Sequence, residues 1–249
     1  MKRLSTAPPS RTNLLLALIA LTTLSLKAEG GQNSQPRSVP CGSSAQPAPR
    51  PVALENVVSL FNGRDLAGWD LVGKQAAQDW KVEAGCLVCS GKGHTWLRSQ
   101  RQHKDFNLRL EYQLSSGANS GVYVRVGADG NHHRETAAEP AAGFEVQILD
   151  DASPRYAKLK DYQYSASLYD IAGASPRVTK RAGEWNRLEI NCIGPHVTIV
   201  HNGVQVVNAD PVRYPMLKLR NLAGFVGLQS HNGVVRFRNL QLAPARKID

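Results

Sequence analysis

The sequence predicts an all-β protein, a sandwich of two antiparallel sheets of the jelly-roll type. Many short segments alternate apolar and polar residues with a period of two, and turns rich in Gly, Asn and Pro separate them. No segment shows helical periodicity over three turns, and the 249 residues include 21 Gly and 14 Pro but only 2 Met. The 42% of hydrophobic residues suffices for a buried core, so bundles, coiled coils and collagen-like repeats are disfavoured.

The N-terminus has the pattern of an export signal. Lys2, Arg3 and Arg11 precede an apolar stretch over residues 14–26. That stretch is shorter than the ~20 residues that a membrane-spanning helix needs. We therefore expect residues 1–28 to be a signal peptide and the protein to be exported, to the periplasm or the extracellular space. An uncleaved N-terminal anchor is the alternative, and it is the one membrane contact that we expect.

A spacer follows the signal. Residues 29–55 are rich in Pro, Ser, Gly and Gln, which predicts a disordered linker without a core of its own. A single folded domain is then expected over 56–249. No later apolar segment is long enough to span a membrane.

The net charge is +10, from 30 Lys and Arg against 20 Asp and Glu. These charges are spread along the chain, with no Lys/Arg run longer than two residues. A solvated surface explains this pattern, and no nucleic-acid partner is expected.

Four cysteines are present, and two of them, Cys86 and Cys89, have the CxxC spacing of zinc and redox sites. A second CxxC is missing, and the pair falls in an apolar run that reads as a strand, where positions 86 and 89 point to opposite faces. Buried thiols or one disulfide, with the pairing open, are the expectation.

The clearest strand is Phe106–Leu114, in which every second residue is apolar. Asn202-Gly203, between two short apolar runs, is a strong hairpin signal, and Asn232-Gly233 joins the last two predicted strands. The other predicted strands are Val122–Val126, Phe144–Ile148, Leu188–Cys192, Val197–His201, Val204–Val207, Phe225–His231 and Val234–Leu242.

The polar residues of these strands are expected to line a groove on the outer, concave face of one sheet. The groove residues come in pairs two positions apart, namely Glu145 with Gln147, Tyr123 with Arg125, and Gln229 with His231.

A set of motifs gives the domain a family resemblance. In chain order they are LFNGRDLAGW (60–69), WKVEAGCLV (80–88), TWLR (95–98), DFNLRLE (105–111), GANSGVYVR (117–125), GFEVQILDD (143–151), AGEWNRLE (182–189), GLQSH (227–231) and FRN (237–239). Over residues 56–243 the chain resembles the 3-keto-disaccharide hydrolase domain family. The resemblance implies a concanavalin A-like jelly roll. It also implies an enzyme that cleaves the glycosidic bond of glycosides oxidised to a ketone at C3, by hydrolysis or by elimination and hydration.

That chemistry requires three kinds of group. The C3 ketone acidifies the C2 proton, so the site needs a base, a donor to the developing oxyanion and an acid for the leaving oxygen. Glu145 is the candidate base or acid, Arg125 the candidate oxyanion donor and His231 a second acid/base. Each of the three also has a structural alternative. Glu145 could be a solvated or salt-bridged carboxylate and Arg125 its ion-pair partner. His231 could cap a hairpin.

Substrate contacts are expected from Asn119, Gln147 and Gln229, which could bind sugar hydroxyls, and from Tyr169, which could stack on a sugar ring or donate its hydroxyl. Specificity is expected to lie in segment 151–181. Three tryptophans are expected to be core residues rather than sugar platforms: Trp69, Trp96 and Trp185.

No cofactor is certain from the sequence. A divalent metal ion is possible, with Glu145, Asp150 and His231 as its ligands. His132 and His133 are expected in an exposed loop and are not predicted ligands.

Two other functions compete with the enzyme. A non-catalytic, lectin-like carbohydrate-binding module predicts an aromatic platform without a convergent acid/base pair. An interaction domain at the cell surface predicts an exposed apolar patch. For both the enzyme and the lectin the expected partner is an oligosaccharide or glycoside.

Overall fold

The computed structural model describes residues 55–246. The predicted signal peptide over 1–28 and the linker, apart from its last residue, lie outside the described residues. Within residues 55–246 no helix has the length and apolar character needed to cross a bilayer.

The described chain is almost entirely β-structure. Its strands are β1 (Val58–Ser59), β2 (Trp69–Val72), β3 (Trp80–Glu83), β4 (Cys86–Cys89), β5 (Thr95–His103), β6 (Phe106–Leu114), β7 (Asn119–Val126), β8 (Phe144–Leu149), β9 (Trp185–Ile193), β10 (His196–His201), β11 (Val204–Ala209), β12 (Gly224–Ser230) and β13 (Val235–Pro244). The helical elements are one short helix, α1 (Ala76–Asp79), and three 3₁₀ turns at Pro154–Tyr156, Asp161–Gln163 and Pro215–Leu219.

Two antiparallel sheets form a sandwich. The eight-stranded sheet has the order β11-β10-β9-β6-β13-β4-β3, with β1 also paired to β13, and the five-stranded sheet has the order β2-β5-β12-β7-β8. Alternate apolar residues of both sheets meet in one core, as in β6, where Phe106, Leu108 and Leu110 are at most 2% exposed. The predicted all-β jelly-roll sandwich is confirmed.

All of the predicted strands form, and the sequence analysis missed β1, β2, β3 and β5, of which β5 is the longest. Its second half, Gln100–His103, is polar, so the alternation that marks a strand stops halfway. The structure pairs β5 with both β2 and β12, and those exposed polar residues extend the strand beyond the core.

The two Asn-Gly pairs differ. Asn202-Gly203 forms the predicted hairpin between β10 and β11, with φ of +50° and +87°. Asn232-Gly233 instead carries the chain from β12 in one sheet to β13 in the other. The prediction that it joins the last two strands is confirmed, but the hairpin implied by the hairpin-capping alternative for His231 does not form, because the two strands lie in different sheets.

The CxxC cysteines lie on opposite faces of β4, as the strand periodicity predicts. Cys89 belongs to the main core, whereas Cys86 packs with Val88 and Trp185 on the other side. Cys86 is disulfide-bonded, and Cys89 and Cys192 are free. Burial raises the pKa of the Cys89 thiol to about 11, so it is unsuited to redox or metal chemistry at neutral pH.

Candidate active site

The outer face of the five-stranded sheet carries most of the predicted groove residues. Register places Glu145 on β8 opposite Tyr123 on β7, and Gln147 opposite Gly121. On β12, Gln229 lies on the same face. Their neighbours along the strands point into the core, so the predicted alternation of polar and apolar residues holds at these positions.

A carboxylate–histidine pair occupies this face. Glu145 Oε2 lies 3.2 Å from His132 Nε2, and the side chains are 5% and 18% exposed. The other nitrogen of His132, Nδ1, is 3.1 Å from the Gly130 carbonyl oxygen. A carbonyl only accepts, so Nδ1 carries the proton and Nε2 is free to accept one from Glu145.

The environment favours the neutral form of both partners. Burial, together with the charge of Asp170, raises the pKa of Glu145 from 4.5 to about 8. Burial lowers the pKa of His132, and the neighbouring His133 and Arg220 lower it further, against the opposing hydrogen bond to Gly130. Near neutral pH the pair therefore shares one proton, which sits on the carboxyl group.

Gly121 makes room for this carboxyl group. A Cβ atom at position 121 would lie 2.0 Å from Glu145 Oε1, so any side chain there would displace the carboxylate. The glycine is required by close approach of the carboxylate, since its backbone is not in the left-handed region.

The Tyr123 ring packs against the histidine of this pair. The His132 ring stacks on the Tyr123 ring with centroids 4.7 Å apart. Gln229 Nε2 donates to Tyr123 Oη over 2.8 Å, which leaves the phenolic proton available to another acceptor. Burial and the charge of Glu145 raise the pKa of Tyr123, so it stays protonated.

The loop over residues 127–143, between β7 and β8, holds His132 in place. Gly130 lies against the Trp96 ring, where a Cβ would come within 3.1 Å of ring atoms. Arg220 Nη1 donates to the carbonyl oxygens of His132 (2.8 Å) and Gly143 (3.2 Å). The sequence analysis expected His132 in an exposed loop; the loop instead folds over the outer face and buries most of the ring.

A second histidine–carboxylate contact lies beside the first. His133 Nδ1 is 2.9 Å from Asp170 Oδ2, and the His132 and His133 rings have centroids 4.1 Å apart. Tyr169, a predicted substrate contact, meets the His133 ring edge-on at 5.8 Å. Its backbone N–H donates to the Glu145 carbonyl oxygen over 2.9 Å, so Tyr169 is held beside the pair.

Arg125 is not on this face, and its predicted position is wrong. Between Tyr123 and Val126 strand β7 has one residue more than its partner β12, and Arg125 has φ of +54°. This bulge breaks the period of two. Val126 joins Tyr123 on the outer face, and the Arg125 guanidinium turns inward, 6.0 Å from the Phe106 ring.

The Arg125 guanidinium is fully engaged in structural contacts. It donates to the carbonyl oxygens of Lys104 (2.8 Å) and Gly194 (2.6 Å) and to the Asp105 carboxylate (3.1 Å), and the residue is 1% exposed. It ties β7 to the turn between β5 and β6 and to the turn between β9 and β10. Its role is thus structural, but its ion-pair partner is Asp105 and not Glu145, so the alternative considered from the sequence named the wrong carboxylate.

His231 lies far from Glu145. It follows β12 four residues after Gly227, which pairs with Tyr123. Four residues at about 3.3 Å each put it about 13 Å away along the strands, and it is two strands across. Its ring contacts His94 edge-on at 5.0 Å. The predicted convergence of Glu145, Arg125 and His231 does not occur.

The remaining predicted residues fall as follows. Asn119 begins β7 near His231, where its main chain exchanges hydrogen bonds with Asn232. Gln147 is next but one to Glu145 on β8 and 5% exposed. Asp150 accepts a hydrogen bond from the Gly117 N–H over 2.8 Å and shapes a turn.

The alternative metal set is not assembled. Glu145, Asp150 and His231 serve three separate environments. Within residues 55–246 no group of three or more His, Cys, Asp and Glu residues is placed to hold an ion. These residues therefore do not fit the divalent metal considered from the sequence.

The sequence analysis did not predict four residues of the site: His132, His133, Asp170 and Arg220. All lie in segments outside the strands, where periodicity carries no information. One signal was present: the loop bearing the two histidines ends two residues before Glu145, so it must pass close to that residue.

Comparison with known proteins places the chain in a family. A curated 3-keto-disaccharide hydrolase of Bacteroides thetaiotaomicron is 28% identical over 77% of this chain and 79% of its own length. Two crystal structures of Parabacteroides distasonis proteins, provisionally named glycosyl hydrolases, share the fold. One has a TM-score of 0.64 at 21% identity, covering 76% of this chain and 94% of the other. The second has a TM-score of 0.60 at 24% identity, covering 76% and 98%.

The family model described as a 3-keto-alpha-glucoside-1,2-lyase-like domain matches residues 56–243, the same span as the resemblance seen in the motifs. The chain belongs to this family.

Proposed function

We propose that the protein is an enzyme that cleaves the glycosidic bond of 3-keto-glycosides, with Glu145 and His132 as the proton-transfer pair. Membership of the family supports a carbohydrate-active role. The observation that carries the finer proposal is the buried Glu145 carboxyl, 3.2 Å from a histidine whose other nitrogen is hydrogen-bonded to a carbonyl.

The pair suits removal of the C2 proton. A base of this kind works best when its pKa lies near the operating pH, and burial has brought the pKa of Glu145 to about 8. His132 holds the protonated carboxyl group in place, since Nδ1 donates to the Gly130 carbonyl oxygen and Nε2 can accept a hydrogen bond from Glu145. Withdrawal of the C2 proton gives an enolate, which expels the group at C1.

The enolate oxygen needs a hydrogen-bond donor. Arg125 was the predicted donor but is engaged elsewhere. Tyr123 takes that role in our proposal, because its hydroxyl already accepts from Gln229 and keeps its own proton to donate. Gln147, Gln229, Asn119 and Tyr169 remain the proposed contacts for the sugar.

The test is release of the aglycone from a 3-keto-glucoside by the purified full chain. We expect release by the wild type, retained with EDTA, and loss of release by Glu145→Gln with its fold intact by circular dichroism. Glu83→Gln, on the other sheet, is the matched control and should keep full activity. A Glu145→Gln variant with wild-type turnover would refute the assignment, and loss of activity with EDTA would show that these residues alone do not suffice.

The lectin alternative predicts another result. A binding module would release no aglycone from any 3-keto-glucoside but would still bind the sugar in calorimetry. Glu145 would then be a ligand contact, and its replacement would change affinity alone.

We also infer export, which rests on the pattern of residues 1–28. Mass spectrometry of the N-terminus after expression in a bacterium should find the chain cut near Ala28. An intact Met1 in the membrane fraction would favour the uncleaved anchor.

A further inference from the structure

The second histidine–carboxylate contact lies at the mouth of the site. His133 and Asp170 have side chains that are 54% and 34% exposed, whereas Glu145 is 5% exposed. The inner pair is thus largely shielded from water, while the outer pair is open to solvent.

The chain fixes the two pairs relative to each other. His132 and His133 are consecutive, and their rings touch with centroids 4.1 Å apart. Asp170 directly follows Tyr169, whose N–H is bonded to the Glu145 carbonyl, and it takes a left-handed conformation with φ of +60°. Aspartate tolerates this conformation better than most residues, and here it turns the carboxylate towards His133.

The contact with Asp170 selects one nitrogen of His133 for chemistry. Nδ1 lies 2.9 Å from the carboxylate, so it carries a proton, and Nε2 is the nitrogen that remains for proton exchange. A carboxylate on Nδ1 fixes the tautomer and the orientation of the ring, as in the histidine of hydrolase triads.

We propose that His133, oriented by Asp170, is the acid that protonates the departing glycosidic oxygen. This inference rests on the proposed function. Elimination of an alkoxide calls for a base at C2 and an acid at the leaving oxygen, and in the proposed function the inner pair already holds the C2 proton.

The protons balance over the two half-reactions. Glu145 takes the proton from C2, the enolate reforms the C3 carbonyl, a C1–C2 double bond forms and the C1–O bond breaks. His133 Nε2–H gives its proton to the leaving oxygen. In the hydration step His133 takes a proton from water as the water oxygen bonds to C1, and Glu145 returns its proton to C2. The sum is one glycoside plus one water giving one 3-keto sugar plus one alcohol.

Leaving-group dependence tests this role. A nitrophenolate leaves without acid assistance, whereas an alkoxide does not. For His133→Gln we expect nitrophenol release from the 3-keto-glucoside within about threefold of wild type. Methanol release from the methyl 3-keto-glucoside should fall about 100-fold, the usual scale of general acid catalysis. Asp170→Asn should show the same selectivity in milder form.

Exchange of the C2 proton in D₂O, followed by NMR, separates the two steps. His133→Gln should keep this exchange, and Glu145→Gln should lose it. His196→Gln is the matched control: this histidine is exposed on the other sheet and contacts Asn208. It should behave as wild type throughout.

Two failures can be told apart. If the wild type neither exchanges C2 nor releases either alcohol, the proposed function fails and this inference with it. If the wild type is active but His133→Gln slows both leaving groups equally, or abolishes exchange, His133 has another role and only this inference is overturned.

Discussion

The substitution Glu145→Gln should change how the free energy of unfolding depends on pH. Burial raises the pKa of Glu145 from 4.5 to about 8. Between these two values the folded protein holds a proton that the unfolded chain has lost. The stability that this proton contributes is therefore fully present below pH 4.5 and disappears as pH rises through about 8.

The size of the effect follows from the window chosen. The interval between pH 6.5 and the pKa of about 8 is about 1.5 pH units. Each unit changes the free energy of unfolding by about 1.4 kcal/mol, so the wild type should lose about 2 kcal/mol of this free energy by pH 9. Starting at pH 6.5 avoids most of the titration of His132, whose pKa is lowered by burial. Glutamine resembles the protonated carboxyl in shape and cannot ionise.

The assay is urea unfolding at pH 6.5 and pH 9, followed by circular dichroism. Relative to Glu145→Gln, the wild type should lose about 2 kcal/mol of unfolding free energy across this range. Glu83→Gln is the control, because contacts with Lys81 and Arg236 lower the pKa of Glu83 and keep its titration out of the window. Parallel pH profiles for wild type and Glu145→Gln would show that the carboxyl is ionised throughout, and the argument for a shared proton would fail.

Four further outcomes are expected. C2-proton exchange by the wild type should speed up with pH until about 8, as Glu145 loses its proton, and a flat profile would exclude it as the base. Gly121→Ala should fold but release the aglycone about 100-fold more slowly, because the new Cβ atom would lie 2.0 Å from the Glu145 carboxylate. Normal turnover would contradict this close packing. Arg220→Gln removes the guanidinium that donates to the His132 carbonyl oxygen, and it should lower the free energy of unfolding in urea by about 1–3 kcal/mol. An unchanged urea midpoint would show that this hydrogen bond does not stabilise the loop. Arg125→Met should cost about 3 kcal/mol while the folded fraction keeps its kcat, whereas loss of turnover at full stability would restore its catalytic role.

The strands, and with them the outer-face position of Glu145, could be predicted because burial on one face imposes a period of two. Gln147, Gln229 and Tyr123 were placed correctly for the same reason. Arg125 shows where that reasoning fails. A single residue with positive φ inserts a bulge, and no local pattern marks an arginine that will adopt it.

The partners of Glu145 could not be predicted, because they come from loops. His132 reaches the carboxyl group only because the segment after β7 folds back over the sheet, and that path is set by tertiary contacts such as Arg220 with the loop carbonyls. His231 illustrates the opposite error. It has a suitable side chain directly after a suitable strand, but the register places it about 13 Å from Glu145 along the strands.

The aromatic residues of the outer face bear on the choice between enzyme and lectin. A sugar-binding platform would expose its rings, yet Trp96 and Tyr123 are 7% and 8% exposed. Gly130 covers the first and His132 covers the second. These rings therefore seat the loop that carries the two histidines, and through it they set the distance between His132 and Glu145. Under the proposed function, the apolar part of the outer face positions the Glu145–His132 pair, which catalysis requires and sugar binding alone does not.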